Sequence, residues 1–591
     1  VKKPLTSLIA AKLTETVCRY GVDPAGVFEL QVPPDRAKGD FALNTAMRLA
    51  KPAKKRPLEL AEELATILRT ETDWFDRIEV APPGFINIFL KTSVISRVLA
   101  ETARKSDLGV SREDKPQTVV VDYSSVNIAK QMHVGHLRST IIGDVLSRVL
   151  EARGEKVIRQ NHLGDWGLPI AMVLWKTGPI LRELEARGAA VETGLTLARL
   201  EALYREASGA CKEDPAAASI CHDILVKLQN GDKQLVSDWL TVTRVSMAEV
   251  YRIYGELRVK LAPEHERGES FYRDRLAAAV EAVRCSGKLV ESQGAQCVFL
   301  EHFKAKDGSP LPVIIRKSDG GFNYETFDLA AIRYRVGELA ADRVIYVTDA
   351  RQALHFAQVF DVASVCSWTK RPDGSEVSFE HVPFGSVLGE DNKPLKTRTG
   401  ENVKLSDLLS ESVERAYAVV CEKNADLTEE TKRHVAKAVG IGAIKYADLS
   451  QNRNNDYVFS FDRMLALQGN TAPYLQYAHA RICSIFRKGG ISDAEDIGDP
   501  ILIEPAERGL GVKLLEFSDV VASVEADLRP HTLCTYLFDL ASAFSSFYDQ
   551  CPVLTASDPQ QRRARLALCR ITRRTLAFGL DLLGIEAPQE M

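Results

Sequence analysis

An unbroken β-branched run, Thr118-Val119-Val120-Val121, ends at Asp122 and is followed, after a polar loop, by a long amphipathic stretch that closes at Gly154. Consecutive valines leave no polar face, so the run reads as a strand covered on both sides, as in a parallel sheet. Leu137, Ile141, Val145 and Val149 recur at helical spacing, with Ile142, Leu146 and Leu150 beside them, and define a wide apolar stripe. Gly154 suits the helix stop, and Val157-Ile158 opens a second short strand. The unit is strand-loop-helix-strand, with a right-handed crossover expected. In such sheets ligands sit beyond the carboxyl ends of the strands, where the loop at Ser124 and the later loop Asn161 to Gly167 both fall.

His133 and His136 flank Gly135 where the helix begins. A helix N-terminus offers unpaired N–H groups and positive dipole charge, which favour phosphate. Two histidines there can donate hydrogen bonds to phosphate oxygens, and Gly135 lets a flat ring lie against backbone that a Cβ would block. The plainer alternative is that both histidines only cap the helix. The strand before and the helix after supply the context that the phosphate reading requires.

Ser124-Ser125-Val126-Asn127-Ile128-Ala129-Lys130, His133 to His136, and Asn161-His162-Leu163-Gly164-Asp165-Trp166-Gly167 closely resemble the arginyl-tRNA synthetases, a family of class I aminoacyl-tRNA synthetases. The resemblance runs from near the N-terminus to Met591. One departure is visible: Val126 stands where the family usually has proline, which removes a rigid ring but no functional group. The resemblance implies an arginine site at Ser125, Val126, Asn127, His136, Tyr324, Asp328 and Gln352, with Asp122 at an acidic family position. It also implies ATP held at His133, Gly135, His136 and Lys396, with His133, His136, Lys130 and Lys396 as the catalytic group. Class I enzymes carry a mobile Lys-Met-Ser-Lys loop for the triphosphate. Here Lys396-Thr397-Arg398-Thr399 lacks the second lysine, and Lys130 occupies the place thought to compensate in this family. ATP is expected with Mg²⁺ as its substrate complex and no protein-bound metal.

Length and composition bound the rest. A chain of 591 residues is too long for one core, so three or more domains are expected. A net charge of -4 gives no bulk argument for nucleic acid, so RNA contacts must come from local patches. The 11 cysteines are scattered, with no C-x-x-C pair, which disfavours zinc and a disulfide framework. No apolar run approaches the length of a membrane span. Val1-Lys2-Lys3-Pro4 has no signal-peptide pattern, so a cytoplasmic protein is expected, with an organelle form that has lost a targeting segment left open.

Along the chain, residues 1–112 read as a separate α/β domain, in which the basic, proline-broken stretch Lys51 to Pro57 is either a solvated loop or a phosphate contact. The family's domain at this place touches the elbow of tRNA. Residues 113–404 read as a Rossmann-type parallel-sheet catalytic domain, interrupted at about 176–270 by a helical, charged insertion. Strand signals return at Cys297 to Leu300, Val313 to Arg316 and Val344 to Val347. Tyr324 and Asp328 stand four apart and share a helix face. An acid beside an aromatic ring suits a guanidinium, which wants paired hydrogen bonds and a π face. The plainer alternative makes Tyr324 core and Asp328 a helix cap. The turn at Asp165-Trp166 reads equally as a packed corner or a ligand contact.

Residues 405–591 read as an all-helical domain. Asn470, Tyr474, Tyr477 and Arg481 combine stacking rings with a cation, which suits unpaired bases, although tyrosines also pack helices. The resemblance places anticodon contacts there and near Met591, and Arg562, Arg563, Arg565, Arg570, Arg573 and Arg574 add a cationic run. The expected function is an arginine–tRNA ligase: arginine and ATP give arginyl adenylate, and the arginyl group passes to the 3′ end of tRNA(Arg). Expected partners are tRNA(Arg), L-arginine and ATP, with no DNA, no membrane and a monomeric chain. Two other readings are a synthetase-derived RNA-binding protein without catalysis and an adenylyltransferase with the same His-x-Gly-His motif. The presence of both histidines, Gly135, Lys130 and Lys396 argues against the first, and the helical C-terminal third against the second.

Overall fold

The structure is a computed structural model that describes residues 5–591 except 24–26, 29, 34, 72, 192–193, 397–402 and 425, with the side chains of 5–8 and 71 also left aside. Two compact units result. One comprises Val1–Glu113, Ala466–Leu582 and Glu586–Met591, the other Asp114–Leu465 and Leu583–Ile585. Among the described residues no helix is long and apolar enough to cross a membrane.

The second unit is built on a parallel sheet of four strands: β1 (Thr118–Asp122), β2 (Lys156–Gln160), β3 (Arg343–Asp349) and β4 (Ser378–Phe384). Their order is β4-β3-β1-β2, all neighbours parallel, with Asp122 opposite Gln160 on one side and Tyr346 on the other. Val119, Val120 and Val121 are fully buried, as a run without a polar face requires, and each contributes about 1.5–3 kcal/mol. Helix α1 (Val134–Ala152) connects β1 to β2 and buries Leu137, Ile141, Val145 and Val149. Gly143 lies against the Tyr123 ring, where a Cβ would come within 2.2 Å of it. Ser139 Oγ donates to Val347 O at 2.6 Å, fastening α1 to β3. Arg138 and Asp448 form a buried ion pair at 3.0 Å between α1 and the helix Glu429–Leu449.

The insertion is a set of helices packed on one another, Leu168–Ala186, Leu197–Glu213, Pro215–Gln229 and α2 (Lys233–Glu256). The strands predicted near 297 and 313 pair with each other in a separate antiparallel sheet, Val290–Ser292, Ala295–Lys304 and Pro310–Arg316, so the central sheet has four strands. Helices α3 (Tyr324–Gly337) and α4 (Ala353–Val365) flank β3 in sequence and pack with it over a shared apolar core that includes Leu329, Ile332, Val344, Phe356 and Val359.

The first unit joins an antiparallel sheet, ordered Leu30–Gln31, Phe41–Leu43, Phe85–Leu90, Phe75–Ala81, to the helices Ala472–Gly489, Pro505–Leu515, Phe517–Asp527, His531–Gln550 and Pro559–Leu582. Arg508 makes a forked pair with Asp40 at 2.7 and 2.6 Å. The cationic run of the last helix is largely occupied within the chain. Arg565 is buried on Glu507 at 2.7 Å, Arg570 donates to Glu495 O, Arg573 pairs with Asp493, and Arg574 donates to Ala103 O and Lys105 O. Four of the six arginines of the cationic run thus have donors taken up by acids and carbonyls distant in sequence, while Arg563 is exposed.

Candidate active site

β1 lies between β2 and β3, whose connections leave in opposite directions, so a crevice opens beyond their carboxyl ends. Three segments meet there: Tyr123 to Met132 after β1, Asn161 to Gly164 after β2, and Ala350 to Gln352 after β3. The first is held in an unusual backbone form, with Ser124, Ser125 and Ala129 at φ of 73°, 51° and 60°. Non-glycine residues seldom adopt these values, and the surroundings must impose them. Ser124 N–H donates to Ser139 Oγ (2.9 Å), and Ser124 Oγ bonds Thr140 Oγ1 (2.8 Å) and Tyr254 OH (2.7 Å). Ser125 N–H donates to Asn161 Oδ1 (3.0 Å), and Ala129 N–H to Ser246 Oγ (3.1 Å). Val126 is buried and its carbonyl accepts from Gly164 N–H at 3.0 Å, a brace that needs no proline ring. Asn127 is exposed, and its side chain sits where a Cβ on Gly164 would come within 2.2 Å of Oδ1.

In the structure the two motif histidines cap α1. His133 is the N-cap of α1, its Nδ1 accepting from Gly135 N–H at 3.0 Å. His136 Nδ1 accepts from His133 N–H at 3.1 Å. Both rings thus cap the helix through Nδ1, which leaves the proton of each neutral ring on Nε2 as a donor. Burial lowers the pKa of both. His133 is lowered further by Lys130 against an opposing pull from Glu201, and His136, beside His133 and Lys130, falls to about 3. Gly135 has a nearer reason than the one expected. A Cβ there would meet the His133 ring at 2.8 Å, so glycine is what lets His133 fold back over its own helix. Lys130 lies over the Tyr204 ring of the insertion at 4.9 Å. Lys396 is exposed, and Thr397, Arg398 and Thr399 lie outside the described residues.

Tyr324 opens α3 and is 71% exposed, so it is not core. Asp328 lies one turn inside α3, whose N-cap is Asn323, so it is not the cap. Its Oδ2 accepts from His355 Nε2 at 2.6 Å, while His355 Nδ1 stands 3.7 Å from Glu325 Oε1. Burial opposes charge on both partners. It is outweighed by their pairing, which holds the Asp328 carboxyl below its usual range and raises His355 from its ordinary 6.5 to about 9. Gln352 is exposed at the start of α4. Asp122 is taken up inside the protein: Arg335 Nη2 donates to its Oδ2 at 2.5 Å, Ser125 Oγ approaches Oδ1 at 3.4 Å, and Arg335 Nε donates to Gln160 Oε1 at 2.7 Å. The Asp165-Trp166 turn is a packed corner, with Trp166 edge-on to Trp239 at 5.5 Å and Asp165 accepting from Ser270 N–H and Oγ–H. His355 and Arg335 were not singled out from sequence, because each is defined by a partner on a different turn or element.

The raised His355 pKa has a consequence for stability. The folded protein binds this proton more tightly than the unfolded chain, so the contribution is fully present below pH 6.5 and is lost as pH rises through about 9. We expect the melting temperature of wild type to fall more steeply over that window than that of His355→Gln. Parallel thermal-unfolding curves in matched buffers check it, and identical slopes would mean that His355 carries no excess proton.

In the other unit, Tyr477 is 40% and Tyr548 39% exposed, and the Arg481 guanidinium lies over both rings, at 4.8 and 5.6 Å. Tyr474 is half-buried against Phe538 and Asn470 is exposed. Residues 586–589 run along the same helix, with Gln476, His479 and Arg487 donating to Glu586 O, Pro588 O and Gln589 O, which brings Met591 to its neighbourhood. Tyr548 was missed because it comes from a separate helix.

Comparison with known proteins agrees with this picture. Residues 95–461 match the model for the catalytic domain of class I tRNA synthetases (R), residues 475–591 the DALR anticodon binding domain, and residues 3–90 the arginyl tRNA synthetase N terminal domain. An arginine–tRNA ligase of Alcanivorax borkumensis is 46% identical over 594 residues, covering 100% of both chains. The crystal structure of arginyl-tRNA synthetase from Plasmodium falciparum superposes with a TM-score of 0.82 at 30% identity, over 100% of this chain and 99% of that one. The Thermus thermophilus arginyl-tRNA synthetase gives 0.80 at 25% identity, over 99% and 100%. The chain belongs to the arginyl-tRNA synthetases, ATP-using ligases of class I.

Proposed function

We propose that the chain joins L-arginine to tRNA(Arg) in two steps on the crevice beyond β1 and β3. Arginine and ATP first give arginyl adenylate and pyrophosphate, and the arginyl group then passes to the 3′-terminal adenosine. No side chain serves as a covalent nucleophile. Rate comes from holding the arginine carboxylate against the α-phosphate and from donors aimed at the charge that grows on the phosphates. His133 and His136 supply two Nε2–H donors beside the positive end of α1, with Lys130 and Lys396 adding charge, and Mg²⁺ enters with ATP. Asp328 takes the guanidinium, Tyr324 covers it, and Ser125, Asn127 and Gln352 hold the amino-acid head. Asp122 acts at one remove, through Arg335 and Ser125. Tyr474, Tyr477, Arg481, Asn470 and Met591, joined by Tyr548, form the anticodon-loop surface. The chain works as a monomer in the cytoplasm and does not act on DNA.

The observation that carries this reading is the pair of motif histidines, each fixed through Nδ1 so that Nε2–H is left to donate. The test is ATP–pyrophosphate exchange with each amino acid, in the presence and absence of tRNA. Exchange is expected with arginine and to be strongest with tRNA present. Strong exchange with another amino acid and none with arginine would overturn it, as would tRNA binding without any charging.

A further inference from the structure

The His355 imidazole stands between two carboxylates of α3, with Asp328 Oδ2 at 2.6 Å from Nε2 and Glu325 Oε1 at 3.7 Å from Nδ1. Glu325 and Asp328 are three apart on one helix and share a face. Both partners are acceptors only, so a ring that faces both with N–H must carry both protons. Glu325 Oε2 is buried without a hydrogen-bond partner, and the ring is half-buried, so the cluster is largely shielded from water. Two carboxylates and one imidazolium sum to one negative charge, which matches a single guanidinium. Asp328 Oδ2 is engaged, whereas Oδ1 has no hydrogen-bond partner among the described residues and is not among the buried unpaired atoms.

We propose that His355 is a positioning residue for arginine recognition: it holds the Asp328 carboxylate by Oδ2, turns Oδ1 toward the substrate, and trims the site's charge to that of one monocation. This rests on the reading that Asp328 receives the guanidinium. Other charged and titratable groups that interact with the pair are His381 on β4, whose ring stacks on Phe356, and, around Asp328, His162, Arg335, Glu269 and Tyr346. A carboxylate freed from His355 would rotate and stand beside Glu325 with two uncompensated charges. It would attract any cation and present the planar fork to none in particular.

The experiment compares His355→Ala, His355→Gln, Asp328→Asn and the double variant Asp328→Asn/His355→Ala in tRNA-dependent aminoacylation, with KM for arginine, KM for ATP and kcat measured separately. The Gln amide can reach where Nε2 stood and keeps a donor for Asp328 without the charge. His355→Ala is expected to raise KM for arginine about thirtyfold, with KM for ATP within about twofold and kcat within about threefold. His355→Gln is expected to recover most of that loss. The double variant should be no worse than Asp328→Asn alone, since a residue acting through Asp328 has nothing left to position. An unchanged arginine KM in His355→Ala, or arginine and ATP weakened together, overturns the proposal. So does a double variant in which the two losses add. If Asp328→Asn itself leaves arginine KM unchanged, it is the parent assignment of Asp328 that falls. If His355→Ala does not fold, His355→Gln decides: its arginine KM must rise several-fold with ATP unmoved.

Discussion

Asp328→Asn should lower kcat/KM for arginine by about 2–5 kcal/mol, roughly thirtyfold to several-thousandfold, while leaving KM for ATP nearly unchanged. The carboxylate is pinned by His355 at 2.6 Å and has one oxygen to offer. An amide in its place must turn its oxygen either toward the imidazolium or toward the guanidinium, and the other cation then meets an N–H₂ donor. Arginine loses the charge in either orientation, and the rotation that restores its acceptor sets an N–H₂ donor against the imidazolium. In the proposed site ATP lies elsewhere, at the start of α1, so its binding has no reason to follow. Steady-state kinetics at varied arginine and varied ATP make the separation. Charging at the normal rate, or equal weakening of both substrates, would sink the assignment and leave Asp328 as a structural partner of His355.

His136→Ala should slow arginine activation by about 10²- to 10³-fold, the usual effect of removing one preorganised donor from a charged transition state. This replacement removes two functions together. Nδ1 accepts from His133 N–H at 3.1 Å, and Nε2 carries the free proton. Asparagine and glutamine separate them, because the Asn oxygen lies near the place of Nδ1 and the Gln amide near that of Nε2. We expect His136→Asn to restore melting temperature, since a lost helix cap costs about 0.5–2 kcal/mol, but not rate. His136→Gln should restore part of the rate. The reverse outcome, full activity in His136→Asn, would mean that the histidine only caps its helix.

How much of this was legible in the chain varies by the range of the interaction. The parallel strand at Thr118–Asp122 and the helix at Val134–Ala152 follow from local patterns, a run without a polar face and a 3.6-residue stripe, and both appear where those patterns put them. The place of the crevice follows from strand order, which the alternation of strands and helices anticipates. The partners of the acids were not legible. Asp122 and Asp328 look alike as acids near a strand end and a helix start. Which of them faces a ligand depends on Arg335 and His355, which meet them across the fold. The positive φ values at Ser124, Ser125 and Ala129 carry no glycine or asparagine to announce them. The arginines of the last helix show the same limit from the other side. They read as a cationic run, and Glu507, Asp493 and several carbonyls distant in sequence engage four of the six.

The props of the Ser124 loop also bear on the order in which the enzyme becomes competent during synthesis. Ser124 Oγ rests on Tyr254 OH, and Ala129 N–H on Ser246 Oγ, both from α2 near the end of the insertion. At about 5–20 residues per second, the loop emerges from the ribosome roughly ten seconds before these two residues do. A nascent chain halted ahead of Ser246 therefore contains His133, Gly135 and His136 and the contacts from Ser139, Thr140 and Asn161, but lacks the two from α2 that complete the loop's support. The insertion is thus a late-arriving keystone of the catalytic loop: shortening α2 should abolish arginine activation even where the motif itself is untouched.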